Sequence, residues 1–180
     1  MLKLVKACQE YKDTFLHNLN EYKNDIAKFG LDGMRQTIQT IEKDGFDVWL
    51  ADAQRQDAEI NLPIGRVGST RYWLLDNEEY VGSFTLRHDL NDYLLKFAGH
   101  VGYVIAPSKR GKGYAFAGLK LVLREANERG LKRVLITCDT DNAPSIAVIN
   151  KAKNLYGGEQ LADSTVNERT YRRIWINTEL

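Results

Sequence analysis

A mixed α/β (α+β) fold is predicted by three features of the sequence. Apolar residues recur at helical spacing in the first third of the chain, a hairpin pattern occupies residues 70–86, and a strand–loop–helix–strand pattern begins at residue 99. Two neighbouring strands joined by a helix run parallel, whereas the strands of a hairpin are antiparallel. The sheet is therefore expected to be mixed, and residues 1–180 are expected to form one domain.

The N-terminal part, residues 1–65, is predicted to be helical. Its apolar side chains recur at intervals of three and four in two stripes, which are Tyr11, Phe15, Leu19 and Tyr22, then Met34, Ile38 and Ile41. Gly30 and Gly33 lie between the stripes and are expected to separate two helices. The helical pattern stops near residue 58, and Leu-Pro-Ile-Gly at 62–65 indicates a turn.

Residues 70–160 are predicted to form the core of the domain. Apolar runs at 71–75 and 80–86 flank the polar turn 76–79, which favours a hairpin, and a further strand covers 99–105. An amphipathic helix follows, carries Phe116, Leu119, Leu123 and Ala126, and ends at Gly130. A buried strand at 133–138, a helix at 144–153 and a final strand Arg169–Asn177 complete the prediction.

Composition excludes several classes of function. The formal net charge of +1 favours neither nucleic acid nor an anionic membrane as a partner, and no apolar run is long enough for a membrane span or signal peptide. The two cysteines, Cys8 and Cys138, cannot build a disulfide framework and lack zinc-site spacing, so no metal is expected. These features favour a reduced, cytoplasmic protein.

The segment most informative about function is the loop between the strand 99–105 and the next helix. Amide groups at a helix N-terminus lack intrahelical partners and, together with the helix dipole, attract anions. Glycines let the backbone approach a phosphate, and cations complement its charge. The predicted phosphate-binding residues are Lys109, Arg110, Gly111, Lys112, Gly113, Tyr114 and Ala115.

Two common phosphate-binding motifs do not fit this loop. A Walker loop requires Ser or Thr after its GK pair, but Gly113 and Tyr114 follow Lys112. A dinucleotide fingerprint requires a glycine three residues after Gly113, and that residue is Phe116.

Arg110-x-x-Gly113-x-Ala115 resembles the R/Q-x-x-G-x-G/A signature of the GNAT superfamily of N-acetyltransferases. The sequence Asn142-Ala-Pro-Ser145 is similar to the N-x-x-S of that family at the start of its next helix. LRH at 86–88, GHVGY at 99–103 and LITCDTDN at 135–142 also resemble an uncharacterised bacterial subgroup, so the resemblance covers about residues 71–158.

The resemblance implies a mostly antiparallel sheet whose central pair of parallel strands splays apart, flanked by helices. The pantetheine arm of acetyl-CoA would lie between these strands, and backbone amides near Val104 or Ile105 would hold the thioester carbonyl. Asn142 and Ser145 would contact the pantetheine or the acceptor. Asn142 before Ala-Pro is also an ordinary N-cap, and the two roles are compatible.

A histidine is expected to act as the general base. Primary amines such as lysine, with a pKa of about 10.4, are mostly protonated at neutral pH, so a base must accept a proton. His100 lies ten residues before Arg110, where the resemblance implies a base. A structural role for His100, buried and bonded to backbone, remains open, and His88 is the second candidate.

The general acid of the family is a tyrosine seven residues after its asparagine, and Ile149 occupies that position here. The joint between the last helix and the following strand, at 151–158, is three residues longer than the family implies and contains Tyr156. Tyr156 is therefore the candidate acid, although a packed aromatic side chain at a helix end is an alternative role.

The sequence thus predicts an enzyme that transfers the acetyl group of acetyl-CoA to a primary amine of a small molecule or a protein. The alternative is a catalytically silent CoA- or nucleotide-binding module, which the absence of the usual tyrosine favours. Nucleic-acid binding through residues 109–112 has little support, since no further basic surface is indicated. The acceptor and the oligomeric state, including a homodimer, are left open.

Overall fold

The computed structural model of the protein describes residues 1–29 and 32–180, so Gly30, expected to separate two helices, lies outside the described residues. The strands are β1 (Leu2–Lys6), β2 (Ser69–Asp76), β3 (Glu79–Arg87), β4 (Val101–Ile105), β5 (Arg133–Asp139), β6 (Gly158–Val166) and β7 (Arg169–Asn177). The helices are α1 (Lys12–Phe29), α2 (Asp32–Asp44), α3 (Phe46–Asp57), α4 (Asp92–Lys96), α5 (Tyr114–Glu128) and α6 (Ala143–Tyr156).

The strands form one sheet in the order β1-β2-β3-β4-β5-β7-β6. The pair β4–β5 is parallel and the other neighbouring pairs are antiparallel. This arrangement confirms the predicted mixed fold with a mostly antiparallel sheet and a central parallel pair.

Helices cover both faces of the sheet. The first core lies under α5 and α6 and includes Phe84, Val101, Leu119 and Ile149. The second lies under α1, α2 and α3 and is built around Phe15, whose ring centroid is 4.5 Å from that of Trp73. The helical stripes of the N-terminal part therefore bury their apolar side chains against one face of the sheet, as their spacing predicts.

The structure differs from the sequence-based prediction at both edges of the sheet. Residues 2–6 were included in the helical part, but they form β1, which pairs with β2. The joint at 151–158 is not an extended loop, because α6 continues to Tyr156 and Gly157, at φ +74°, ends it directly before β6. The extra residues therefore lengthen the helix. They do not return a flexible segment to the central strands.

Candidate active site

The sheet opens between β4 and β5. These strands are in register at one position, where Val101 pairs with Ile136, although β4 continues to residue 105 and β5 to residue 139. On their outer sides β4 remains paired with β3 and β5 with β7 along their lengths. The two halves of the sheet therefore diverge toward the carboxyl ends of β4 and β5, which confirms the predicted splayed pair.

The hydrogen-bond pattern of β4 shows which of its amides are occupied by β3. The Arg87 amide donates to the His100 carbonyl at 2.7 Å, and the Ala106 amide donates to the Val81 carbonyl at 3.0 Å. In an antiparallel ladder, bonded and non-bonded pairs alternate, so every second residue between these two pairs also faces β3. Val104 is one of them, and its amide is therefore directed at β3.

The amides of Tyr103 and Ile105 face the opening instead. The Ile105 carbonyl points the same way and accepts a hydrogen bond from Arg110 Nε at 3.1 Å. Of the two strand residues expected to supply a donor to a thioester, Ile105 thus has the required orientation and Val104 does not. The Tyr103 amide has the same orientation as that of Ile105, which alternation along β4 predicts once its register with β3 is known.

The glycine loop connects the end of β4 to α5. Gly111 has φ +76°, and Gly113, the N-cap of α5, has φ +81°, a region that residues with a Cβ rarely adopt. Nothing lies within 4 Å of the position a Cβ would take at either glycine. Positive φ, rather than crowding within the protein, therefore requires glycine here. The amides of the first turn of α5, including those of Tyr114 and Ala115, have no intrahelical acceptor.

Two of the three loop cations already have carboxylate partners. Arg110 forms an ion pair with Asp25 of α1, and Lys109 Nζ lies 2.6 Å from Glu79 Oε1 of β3. In the part of the chain that the structure describes, no carboxylate lies within salt-bridge distance of Lys112, which is exposed. Lys112 and the helix amides are therefore the groups most available to an anion, whereas Arg110 also ties the loop to β4.

Further contacts fix the loop against its surroundings. The amide and hydroxyl of Ser108 donate to the two carboxylate oxygens of Glu21 at 2.9 and 3.0 Å. The Tyr114 hydroxyl donates to Asp76 at 2.7 Å, so this side chain is directed at the end of β2. Helix α1 and the β2–β3 hairpin thus hold the loop in a defined conformation.

The N-terminus of α6 lies on the opposite side of the opening. Asn142 caps this helix by accepting from the Ser145 amide at 3.1 Å, as predicted for the N-cap role. The hydroxyls of Ser145 and Tyr103 are 2.9 Å apart, and this bond bridges from β4 to α6. Burial raises the pKa of Tyr103 to about 12, so it keeps its proton at neutral pH. Burial also raises the pKa of Cys138 to about 11, leaving this thiol protonated.

Tyr156 is not brought to the opening. It lies in the last turn of α6, eleven residues after Ser145, which corresponds to about 16 Å along a helix axis. Its side chain lines a surface groove of about 710 Å³ between α5 and α6, together with Lys120 and Leu155. Ile149, at the usual acid position, is fully buried. This placement matches the packed role that the sequence left open for Tyr156.

His100 lies where β4 and β5 still touch, and it is only 5% exposed. Its Nδ1 accepts from the Leu135 amide at 2.9 Å, its own amide donates to the Leu135 carbonyl at 2.7 Å, and its ring packs against Trp175. Burial lowers the pKa of His100 to about 4. The lone pair that a base would need is therefore occupied, an arrangement that favours the structural role of His100 over the catalytic one.

His88 directly follows β3, beside the N-terminal end of β4. Its Nδ1 lies 2.6 Å from Glu59 Oε1 and its Nε2 lies 2.9 Å from Thr70 Oγ1. Thr70 also contacts Arg129, which follows the C-terminal end of α5. His88 is thus held near the end of α5 opposite the glycine loop, so the structure does not bring it together with the opening.

No helix within residues 1–29 and 32–180 is long and apolar enough to cross a membrane. The same residues contain no group of three or more histidine, cysteine, aspartate or glutamate side chains that could hold a metal ion.

Solved structures share this fold. RimL, a ribosomal L7/L12 alpha-N-protein acetyltransferase in complex with coenzyme A, which is joined to one of its cysteines by a disulfide, superposes with a TM-score of 0.67 at 16% identity, covering 98% of this chain and 93% of that chain. A chimera of the spermidine N-acetyltransferase SpeG from Vibrio cholerae and hSSAT gives 0.58 at 17% identity, with coverage of 98% and 95%. A putative GnaT-family acetyltransferase from Bordetella pertussis gives 0.63 at 18%, with coverage of 97% and 94%.

Sequence comparison identifies the family. No curated protein matches the chain significantly. Residues 6–153 match the acetyltransferase (GNAT) domain, a span that runs from the end of β1 into α6 and includes both strands of the opening, the glycine loop and the N-cap of α6. The chain therefore belongs to the GNAT acetyltransferase family.

Proposed function

We propose that this enzyme binds acetyl-CoA in the opening between β4 and β5 and acetylates a primary amine. The observation that carries the proposal is the combination of an open parallel strand pair with a glycine loop at the end of its first strand. The pyrophosphate would lie at the N-terminus of α5, where free amides and Lys112 favour negative charge. The pantetheine would follow β4 toward the amides of Tyr103 and Ile105.

The acetyl group would be held by backbone rather than by side chains. An amide directed at the thioester oxygen polarises the carbonyl and stabilises the negative charge that develops when the amine attacks. Ile105 is the donor we assign, because its carbonyl is fixed by Arg110 and its amide faces the opening. The amine attacks the carbonyl carbon directly, which forms the C–N bond and a tetrahedral intermediate. Collapse of this intermediate breaks the C–S bond, the amine loses one proton, and the sulfur leaves as a thiolate.

The thiolate would receive its proton from Tyr103. This hydroxyl is hydrogen-bonded to Ser145 across the opening and carries its proton at neutral pH, although burial, by raising its pKa, makes it a weaker acid than an exposed tyrosine. General acid catalysis contributes about 10²–10⁴-fold, but a thiol pKa of about 8.5 makes thiolate a tolerable leaving group, so the lower end of that range applies. The proton of the amine would pass to water, since the lone pair of His100 is occupied.

A catalytically silent CoA-binding module is the second candidate. Two observations favour it: Ile149 occupies the usual acid position, and neither His88 nor His100 reaches the opening. It predicts acetyl-CoA binding without turnover in the presence of any amine.

We further propose a cellular compartment and binding partners for this enzyme. The free thiols Cys8 and Cys138 support work in the reducing cytoplasm. The partners we propose are acetyl-CoA and an amine acceptor, with no requirement for a metal, a membrane or nucleic acid.

Release of free CoA thiol, followed with a disulfide reagent, tests the function. With acetyl-CoA and a panel of primary amines, we expect amine-dependent thiol release and an acetylated product of the expected mass. Calorimetric binding of acetyl-CoA without turnover on any amine would support the silent module, and absence of binding would contradict both candidates.

A further inference from the structure

The face of the sheet beside the opening carries two largely buried arginines. Arg71 lies two residues before Trp73 on β2, and Gly102 lies two residues before Val104 on β4. Trp73 and Val104 both pack in the core under α1–α3, so alternation places Arg71 and Gly102 on that face as well. The Arg87 guanidinium extends over β4 on the same face, 3.9 Å from the position of a Cβ on Gly102.

Neither arginine is neutralised by the protein. Nη1 of Arg87 donates to the carbonyls of Ala98 and Gly99, both at 3.1 Å, which orients the side chain without balancing its charge. Across residues 1–29 and 32–180, no carboxylate lies within salt-bridge distance of Arg71 or Arg87. Removing a charge from water is costly unless a partner compensates for it.

Neighbouring charged groups further disfavour the positive charge of these two arginines. Burial, followed by repulsion from Arg71 and by a contribution from Arg66, lowers the pKa of Arg87 to about 10. Burial and Arg66 also lower the pKa of Arg71, and Asp52 opposes them. Asp52 already forms an ion pair with Arg55. Arg66 thus adds positive charge near the two buried arginines, and the carboxylate of Asp52 that opposes it is itself engaged by Arg55.

The distance to the reaction centre limits the size of an anionic ligand. Gly102 precedes Ile105 by three residues, or about 10 Å along a strand. A single small molecule can therefore reach both the arginines and the thioester.

We propose that the acceptor is an amine that carries its own carboxylate close to the amine, as a free amino acid does, and that Arg71 and Arg87 bind this carboxylate. The inference rests on the proposed function. A guanidinium matches a carboxylate in bidentate geometry, and the two groups neutralise each other in a partly desolvated site. A polyamine, the acceptor named for the SpeG neighbour, has only positive charge and would be repelled by these arginines.

Matched acceptors test the proposal. Acetylation rates are measured for phenylalanine and phenethylamine, and for tyrosine and tyramine, which differ by the carboxylate alone. Spermidine and a peptide with neutral residues at its N-terminus complete the panel. We expect kcat/KM for each amino acid to exceed that of its decarboxylated partner by at least about 30-fold. A decarboxylated amine, spermidine or the neutral peptide as the best acceptor would overturn the inference and leave the acetyltransferase function intact.

Variants separate binding of the carboxylate from effects on the fold. R87M should lower kcat/KM for the amino acid by at least about 30-fold, mainly through KM, and change the rate with the decarboxylated amine by less than about threefold. R71M tests the same carboxylate without disturbing the bonds from Arg87 to backbone. R124M, at an exposed arginine of α5, is the control and should leave both rates unchanged.

Acetyl-CoA affinity, measured by calorimetry, should be the same in all three variants. Equal losses for the amino acid and the decarboxylated amine in both R71M and R87M would refute carboxylate binding. If the unmodified protein does not bind acetyl-CoA, the proposed function itself is refuted.

Discussion

The substitution Gly113→Asp places a carboxylate at the N-cap of α5, where we expect the pyrophosphate of acetyl-CoA. Gly130 provides a matched control at the other end of the same helix. Both glycines have positive φ, +81° and +90°, and nothing lies within 4 Å of a Cβ added at either one. The same change therefore introduces similar backbone strain at both sites, but only Gly113 is next to the glycine loop.

The expected magnitudes follow from these geometries. A residue with a Cβ in the left-handed region costs about 1–2 kcal/mol of the free energy of unfolding. The helix dipole adds about 0.3–1 kcal/mol to this loss in G130D and offsets a similar amount in G113D. Two like charges about 5 Å apart at an effective dielectric constant of about 20 repel by about 3 kcal/mol, which corresponds to about 100-fold in affinity. Acetyl-CoA affinity should thus fall by at least about 100-fold in G113D and stay within about threefold in G130D.

Calorimetric titration with acetyl-CoA checks the affinities, and urea unfolding checks that both variants fold. Unchanged acetyl-CoA affinity in folded G113D would refute the placement of the pyrophosphate at this loop. A parallel loss of affinity in both would attribute the effect to helix stability instead.

The remaining predictions concern proton transfer, pH and packing. Tyr103→Phe should lower kcat by about 100-fold, whereas Tyr156→Phe should lower it by less than about tenfold. Equal kcat values for the two variants in steady-state assays would contradict the assignment of Tyr103 as the general acid. The pKa of His100 in the folded protein, about 4, is below its ordinary value of 6.5, so the protein should lose about 3 kcal/mol of stability as pH falls from 6.5 to 4. His100→Gln should remove this loss, as measured by urea unfolding at both pH values. The activity per folded molecule of this variant should stay within about tenfold. Gly118→Ala should destabilise the protein by about 1–3 kcal/mol, because a Cβ there meets a phenylalanine ring of β3. Gly33→Ala, with open space around the Cβ, should change stability by less than about 1 kcal/mol. A stabilised G118A would contradict the packing of α5.

Local patterns in the sequence were sufficient to predict much of the fold. The hairpin β2–β3, the helix α5 and the strand β5 have apolar side chains at regular spacing, and the structure confirms them. The edge strands were missed for a physical reason. Most residues of β6 are exposed, so it has no apolar face, and it is a strand because its backbone pairs with β7. β1 has only five residues and depends on its pairing with β2 in the same way.

In the candidate site, too, features encoded by consecutive residues were predictable and features that depend on strand pairing were not. The glycine loop could be predicted, because its chemistry lies in consecutive residues between a strand and a helix. The role of His100 could not, because its lone pair is occupied by the amide of Leu135, thirty-five residues away. The proximity of Arg71 and Arg87 also depends on the pairing of β2 with β3, which a spacing rule does not reveal.

Residue-level hydrogen exchange by NMR, with and without acetyl-CoA, tests the central claim most directly. We propose that the cofactor lies against the edge of β4 that faces the opening, so the amides of Tyr103 and Ile105 should gain at least about tenfold protection on binding. The amide of Val104 is already bonded to β3 and should change little. Protection of Val104 alone, or no change at Tyr103 and Ile105 with acetyl-CoA bound, would contradict the account.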